Sequence, residues 1–301
     1  MTPVFVDLQH RLEYGLLLVL MGLVRLMPLD IASNVSSAVW RAIAPRLRRH
    51  KRALDNLAIA FPEKSLAERD AIARAMWGNL GRVMAETMQI DRLIEEPDRI
   101  KIANEKLFAR YKDKLGAAIG CSLHMGNWEL AIWPLVVAGA NPAAVYRTVK
   151  NPYVDNLLRY QRRKLYPGGL LGKGTVDGNW AEGQKTARQI TDLVRNGGRL
   201  GLVCDLYDKN GIPVPFFGKD ARSVAIPAMI ARRIGARIWL ARCLRVGEQS
   251  RFKVEIKELK VPRSGNPGDD VKWITAAMQR QFEAWIREAP EQWMWSNRRW
   301  S

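Results

Sequence analysis

The run Ala117-Ala118-Ile119-Gly120-Cys121-Ser122-Leu123 breaks into His124-Met125-Gly126-Asn127-Trp128-Glu129. The first part is apolar, short and uncharged, which reads as a buried strand. Asn127 is a good helix N-cap, so the strand is expected to hand over to a helix at this point. His124 is one of three histidines in the chain and the one placed where a strand meets a helix. Glu129 follows five residues later. On one continuous helix the two side chains would stand about 140° apart and could not cooperate. They meet only if His124 stays at the strand end while Glu129 lies in the first helical turn, where the helix dipole favours a carboxylate. The pair then makes sense as a general base with an orienting carboxylate, the nucleophile being the substrate's own hydroxyl. Spacing alone leaves open a histidine that merely ends a strand beside a glutamate that caps a helix.

The pattern repeats downstream. Apolar strand candidates are Ala117–Leu123, Ala143–Arg147, Leu200–Cys204, Ile238–Leu244 and Phe252–Leu259. Helical stretches fall near 128–139, 152–165, 184–196 and 224–234, and Asn151-Pro152 reads as an N-cap followed by proline at the first helical position. Strands separated by helices imply mostly parallel pairing. The last two strands are joined by Gly247-Glu248-Gln249-Ser250, which predicts an antiparallel hairpin at one edge. A helix from about Asp269 to Glu288 precedes a tryptophan-rich tail. The expected fold is therefore α/β, a mostly parallel central sheet flanked by helices. Residues 1–100 form an N-terminal helical, membrane-associating region, and residues 101–301 form the α/β domain. Ser65 with Glu68 spells a capping box for a helix running to about Ile90.

Tyr14 to Val24 is apolar on all faces, then Arg25 intervenes. That run is shorter than the roughly 20 residues of a spanning helix. Asp7 and Glu13 argue against a cleaved signal peptide, and the basic stretch from Arg41 to Arg52 disfavours export. The expectation is an uncleaved helix dipping into, or tilted through, a membrane interface, with an ordinary core helix as the alternative. Arg46, Arg48, Arg49, Lys51 and Arg52 suit either a solvated helix face or lipid headgroups.

The chain has 301 residues, 48 basic against 30 acidic, for a net charge of +18. Such a surface attracts polyanions: nucleic acid, anionic membrane, acidic protein or phosphorylated substrate. Cys121, Cys204 and Cys243 are odd in number and lack metal-binding spacing, so they read as buried reduced thiols.

Three further blocks carry polar groups toward the expected edge of the sheet. Val145-Tyr146-Arg147 leads to Asn151-Pro152, Asp155 and Arg159. Asp205 ends a strand ahead of Pro215-Phe216-Phe217-Gly218. The tail holds Pro290-Glu291-Gln292-Trp293-Met294-Trp295 and Arg298-Arg299-Trp300. In open α/β sheets, ligands bind at the strand C-termini.

From about residue 115 to the C-terminus, these ordered blocks resemble the bacterial lipid A late acyltransferases, the lauroyl/myristoyl acyltransferase family, also described as lysophospholipid acyltransferase-like. The resemblance implies an enzyme held by its N-terminal hydrophobic helix on the cytoplasmic face of the inner membrane. It would move a fatty acyl chain from acyl carrier protein to a hydroxyl of a phosphorylated lipid A precursor. On this sequence, His124 would be the general base and Glu129 its partner, and Arg147 would bind a phosphate or stabilise the oxyanion. Asn127 and Asp205 would be further substrate-binding candidates. No metal and no cofactor would be needed beyond the acyl carrier protein co-substrate. Two features depart from the family pattern: Ser296-Asn297 stand where a histidine is often found, and Arg25 interrupts the hydrophobic helix. Other lipid acceptors, such as a lysophospholipid, an ornithine lipid or a glycolipid, fit the same residues. A non-catalytic basic protein that binds membrane or nucleic acid is the remoter alternative; no nucleic-acid module is recognisable, and none is expected as a partner.

Overall fold

The computed structural model describes residues 3–104, 116–173 and 180–300. Helices come first: α1 (Pro3–Leu26), α2 (Leu29–Ile43), α3 (Arg48–Ala60), α4 (Leu66–Met88) and α5 (Ile90–Glu95). Then follow β1 (Ile100–Ile102), β2 (Ala118–Gly126), α6 (Trp133–Val137), β3 (Pro142–Arg147), α7 (Pro152–Arg162) and β4 (Leu170–Lys173). Next are α8 (Trp180–Arg195), β5 (Arg199–Val203), β6 (Tyr207–Phe216), β7 (Lys219–Ser223), α9 (Ile226–Ile234), β8 (Arg237–Arg245), β9 (Phe252–Leu259) and α10 (Pro267–Glu288).

The central sheet has the order β1-β9-β8-β2-β5-β3-β4. β8, β2, β5, β3 and β4 run parallel, and β9 turns back antiparallel on β8. The hairpin expected at Gly247–Ser250 forms, but β9 is not the outermost strand, because the short β1 adds beyond it in parallel. β6 and β7 make a separate antiparallel ribbon after β5.

Alternation along β2 divides the interior. Ile119, Cys121, Leu123 and Met125 enter one large core with residues of α3, α4, α8, α9, α10 and the tryptophan tail. The second core, on the other face, collects Leu130, Ile132, Ala241, Cys243 and Ile256. A sheet covered on both faces explains why its strands read as nearly continuous apolar runs. All three cysteines are free and buried.

The capping box at Ser65 and Glu68 forms, as does the Asn151 cap, whose side chain accepts from the N–H groups of Tyr153 and Val154. The helix expected near 128–139 is instead a 3-10 turn over Trp128–Ile132 followed by the short α6. Pro134 lacks an N–H and cannot continue a regular helix from the turn, but it fits the first turn of a new one.

α1 forms and packs sideways. Its Asp7 accepts from the Tyr153 hydroxyl at 2.9 Å, its Glu13 from Asn151 at 3.0 Å, and Arg25 pairs with Asp91 at 2.7 Å. Among the described residues, no helix is long and apolar enough to cross a membrane. The helical N-terminal part also joins the sheet through a buried pair. Glu86 of α4 receives both guanidinium arms of Arg245, at 2.5 and 2.9 Å, together with the Ser250 hydroxyl at 2.7 Å and the Asn127 amide at 2.9 Å.

Candidate active site

His124 stands on an irregularity in β2. Between Ser122 and Gly126, β2 advances four residues while β8 advances two, from Ala241 to Cys243. The surplus is a bulge, a device that re-aims a side chain beside a site. Gly126 closes it at φ +58, and a Cβ there would lie 1.8 Å from the Cys243 carbonyl oxygen, so only glycine fits. The backbone is pinned from the tail: Met294 N–H donates to the His124 carbonyl at 3.0 Å, and Met125 bridges to Trp293.

The carboxylate on the imidazole is that of Asp205. Its Oδ1 lies 2.8 Å from His124 Nδ1, and its Oδ2 accepts from the His124 backbone N–H at 2.9 Å and from the Trp293 indole at 2.6 Å. Asp205 is fully buried, while the His124 side chain keeps 18% of its surface exposed. An ionised Asp205 can only accept, so Nδ1 carries the proton and the lone pair sits on Nε2. Among the described residues Nε2 has no hydrogen-bond partner, which leaves it free for a substrate proton.

Burial opposes a charged imidazole, but the Asp205 carboxylate outweighs it by charge and hydrogen bond, with a smaller push from Glu129. The pKa of His124 is held above its ordinary value. Burial likewise pushes Asp205 toward neutrality, and the His124 charge, the hydrogen bonds from His124 and the indole hold it below the usual carboxylate range. The pair is a base with a fixed tautomer and an anionic support for the imidazolium.

Glu129 is turned elsewhere. Arg162, at the end of α7, binds it with two arms, at 2.9 and 2.5 Å. The partner expected to contact the imidazole thus acts on it at a distance, because a nearby guanidinium offers the bidentate fit a carboxylate prefers. The Glu129 charge in turn raises the Arg162 pKa. Asn127 is fully buried and its amide donates to Glu86, which ties the turn to α4. Arg147 ends β3 on the same edge of the sheet as His124. It is exposed, in register beside Lys173 of β4, and without an acidic partner among the described residues.

Next to the Trp128 ring that packs on His124 lies a partly open apolar hollow, lined on β2 by Gly120 and Ser122. Its floor is the sheet, where Gly120 and Gly201 sit side by side on β2 and β5 with Ala144 beyond and Ser122 next along β2 toward His124. The glycines let the Ile132 side chain approach the sheet, its Cδ1 4.0 Å from where a Cβ at Gly120 would stand and 3.0 Å from one at Gly201. Trp128, Ile132, Pro134, Leu135 and Tyr166 form walls and roof, and Trp239, Ala241 and Ile256 line the β8 side. The Trp128 ring packs edge-on to the imidazole, with centroids 5.1 Å apart. Burial, with Glu129 adding to it, pushes the Tyr166 hydroxyl far above its ordinary pKa, so it stays neutral. An oily hollow opening beside a base suits an acyl tail whose reactive carbonyl stops at the imidazole.

The sequence pointed to His124 and to Asp205 separately but did not pair them. It missed Arg162 and Trp293 as site residues. Trp293 lay inside a quoted block, and its link to Asp205 needed the chain to return across 88 residues.

The sequence model described as Bacterial lipid A biosynthesis acyltransferase matches residues 5–301. A phosphatidylinositol mannoside acyltransferase of Mycolicibacterium smegmatis is 26% identical over 283 residues, covering 90% of this chain and 86% of that protein.

Proposed function

The chain belongs to the bacterial lipid A biosynthesis acyltransferase family, and from that premise we propose that it transfers a fatty acyl chain from a carrier-protein thioester to a hydroxyl of a phosphorylated glycolipid, a lipid A precursor. The observation that carries the reading is the Asp205–His124 pair next to an apolar hollow, with Trp128 touching both the imidazole and the hollow.

The acyl tail enters the cavity and its thioester carbonyl rests near Nε2. The acceptor hydroxyl donates to Nε2 and attacks the carbonyl carbon as its proton passes to the imidazole. Asp205 holds the ring and supports the imidazolium. The tetrahedral intermediate collapses, the C–S bond breaks, and the proton on Nε2 goes to the departing thiolate. Arg147, exposed and unpaired by any described acid, is available to a phosphate on either substrate. The charge of +18 favours an acidic carrier protein, a phosphorylated acceptor and an anionic surface alike.

The acceptor is tested by lipid mass spectrometry of a strain lacking the gene. The expected lipid A species is short by one acyl chain, and wild-type chain restores it where His124→Ala does not. A deficit confined to a mannosylated inositol lipid, a lysophospholipid or an ornithine lipid would move the assignment to that acceptor. An unchanged lipidome would end it.

For the location we propose a helix lying in the membrane interface on the cytoplasmic side. α1 exposes Leu12, Leu16, Val19, Leu23 and Leu26 at helical spacing, and α2 continues with Ile31, Val35, Val39 and Ile43. The opposite side of α1 is occupied by the contacts to α7, and Arg41 in the last turn of α2 is followed by Arg46, Arg48 and Arg49. An apolar stripe beside arginines is the pattern of an interfacial helix. The full chain is expected to sediment with phosphatidylglycerol-containing vesicles. Leu16→Glu/Leu23→Glu should abolish this, and rising salt should weaken it only in part. Equal sedimentation of wild type and variant would contradict the placement.

A further inference from the structure

The floor of the cavity has a defined depth. Gly120, Ser122 and His124 follow one another on the same face of β2, and the deepest row that lines the cavity is Trp239–Gly120–Gly201–Ala144 across four strands. The next row down, Ala118 with Arg199, Arg237 and Pro142, lines none of it. There Ala118, Trp239 and Leu135 pack into a separate small apolar cluster.

From Ser122 to Gly120 the strand is regular, about 7 Å at roughly 3.3 Å per residue, and the bulge shortens the step from His124 to Ser122, so the whole depth is about 10 Å. An extended alkyl chain advances about 1.2 Å per bond, a third of the extended peptide's rise per residue. The depth therefore accommodates roughly eight to ten carbons from a carbonyl at the imidazole. Resting on the acyl-transfer reading, we propose that Trp239 is the stop of the acyl groove: with Gly120 as the floor beside it, it sets the length of chain the enzyme takes, in the medium range.

The argument is steric. Trp239 is the largest side chain of the deepest row, is nearly buried, and stands in register with a glycine. A Cβ at Gly120 would meet the Leu200 carbonyl oxygen at 3.7 Å and Ile132 Cδ1 at 4.0 Å, both ordinary contacts, so the glycine leaves a thin gap between the sheet and the Ile132 side chain. Each further methylene that finds room gains about fourfold in affinity, and one that meets the stop gains nothing.

The test measures binding of saturated acyl-CoA thioesters from eight to eighteen carbons to the full chain, each below its micelle concentration, an approach that needs no acceptor and reads affinity against length. In wild type, affinity should climb with length and then level or fall beyond about ten carbons. Trp239→Ala should move the break to longer chains, tightening the sixteen-carbon thioester by about tenfold or more relative to wild type. Gly120→Ala, whose methyl fits at ordinary contact distance under Ile132, should move the break to shorter chains and keeps the test open if the tryptophan variant fails to fold. A break unmoved by either substitution, or affinity rising smoothly to eighteen carbons in wild type, would overturn the stop. No saturable binding of any thioester would instead overturn the acyl-transfer reading beneath it.

Discussion

Replacing His124 by alanine is expected to lower acyl transfer by about 10²–10⁴-fold, the usual worth of a positioned general base. The loss should fall on kcat, because the imidazole matters most when the hydroxyl proton is in transit and less when the tail is bound. Binding of the acyl thioester should persist, since the cavity is built from Gly120, Gly201, Ala144 and the walls around them. His124→Asn is the better control for fold, because its amide can still donate to Asp205 and spares that buried carboxylate an unpaired oxygen. Turnover of either variant close to wild type would mean that the proton leaves by another route.

Arg245→Ala should have the largest effect on stability. Glu86 and Arg245 are both nearly sealed from water, with side-chain exposures of 0% and 6%. Removing the guanidinium strands a carboxylate in the interior, a change that costs about 3–5 kcal/mol in comparable buried pairs. For a chain of this size that corresponds to a Tm lower by roughly 5–10 °C. The sign with pH follows from the Glu86 pKa. Burial works to raise it, but the charge and hydrogen bonds of Arg245, Ser250 and Asn127 hold it below the ordinary glutamate range. In the wild type this group adds stability above the unfolded-state pKa and loses it as pH falls through the folded one. Without Arg245 the folded pKa rises, so the deficit should shrink as acid neutralises Glu86. Arg245→Met with Glu86→Gln removes both charges and should recover part of the loss. Since Asn127 donates to Glu86, the single variant should also loosen the turn that follows His124 and lower activity beyond what the melt predicts.

Much of this architecture is legible in local pattern. The run before His124, the hairpin at Gly247–Ser250, the Ser65 capping box and the Asn151 cap each depend on neighbours within a few residues, and each forms. β4 was not legible, because Leu170–Lys173 is four residues long with a glycine in it. The β6–β7 ribbon hid behind Pro213 and Pro215, which signal breaks until the strand is known to lie at an edge. The helix after Asn127 was overcalled because its apolar spacing concealed the effect of Pro134.

The site divides in the same way. His124 was found from its place at a strand end. Its carboxylate was sought five residues away and lies 81 residues away, because β5 runs beside β2 and ends at the same level, which brings Asp205 alongside. Glu129 looked available until Arg162, 33 residues on, claimed it. Register between non-neighbouring strands decides both outcomes, and no spacing within one segment encodes it.

The pairing of His124 with Asp205 is tested most directly by the pH dependence of kcat/KM in the wild type, Asp205→Asn and Glu129→Gln. In the proposed mechanism the neutral imidazole is the active form, so wild-type activity should fall as pH drops through a pKa above the ordinary histidine value of about 6.5. Asp205→Asn should cut the plateau by about 10²-fold or more and carry the acid limb to lower pH, because the imidazolium has lost its anion. Glu129→Gln should move that limb much less. A limb that stays in place in Asp205→Asn while Glu129→Gln displaces it would contradict the account.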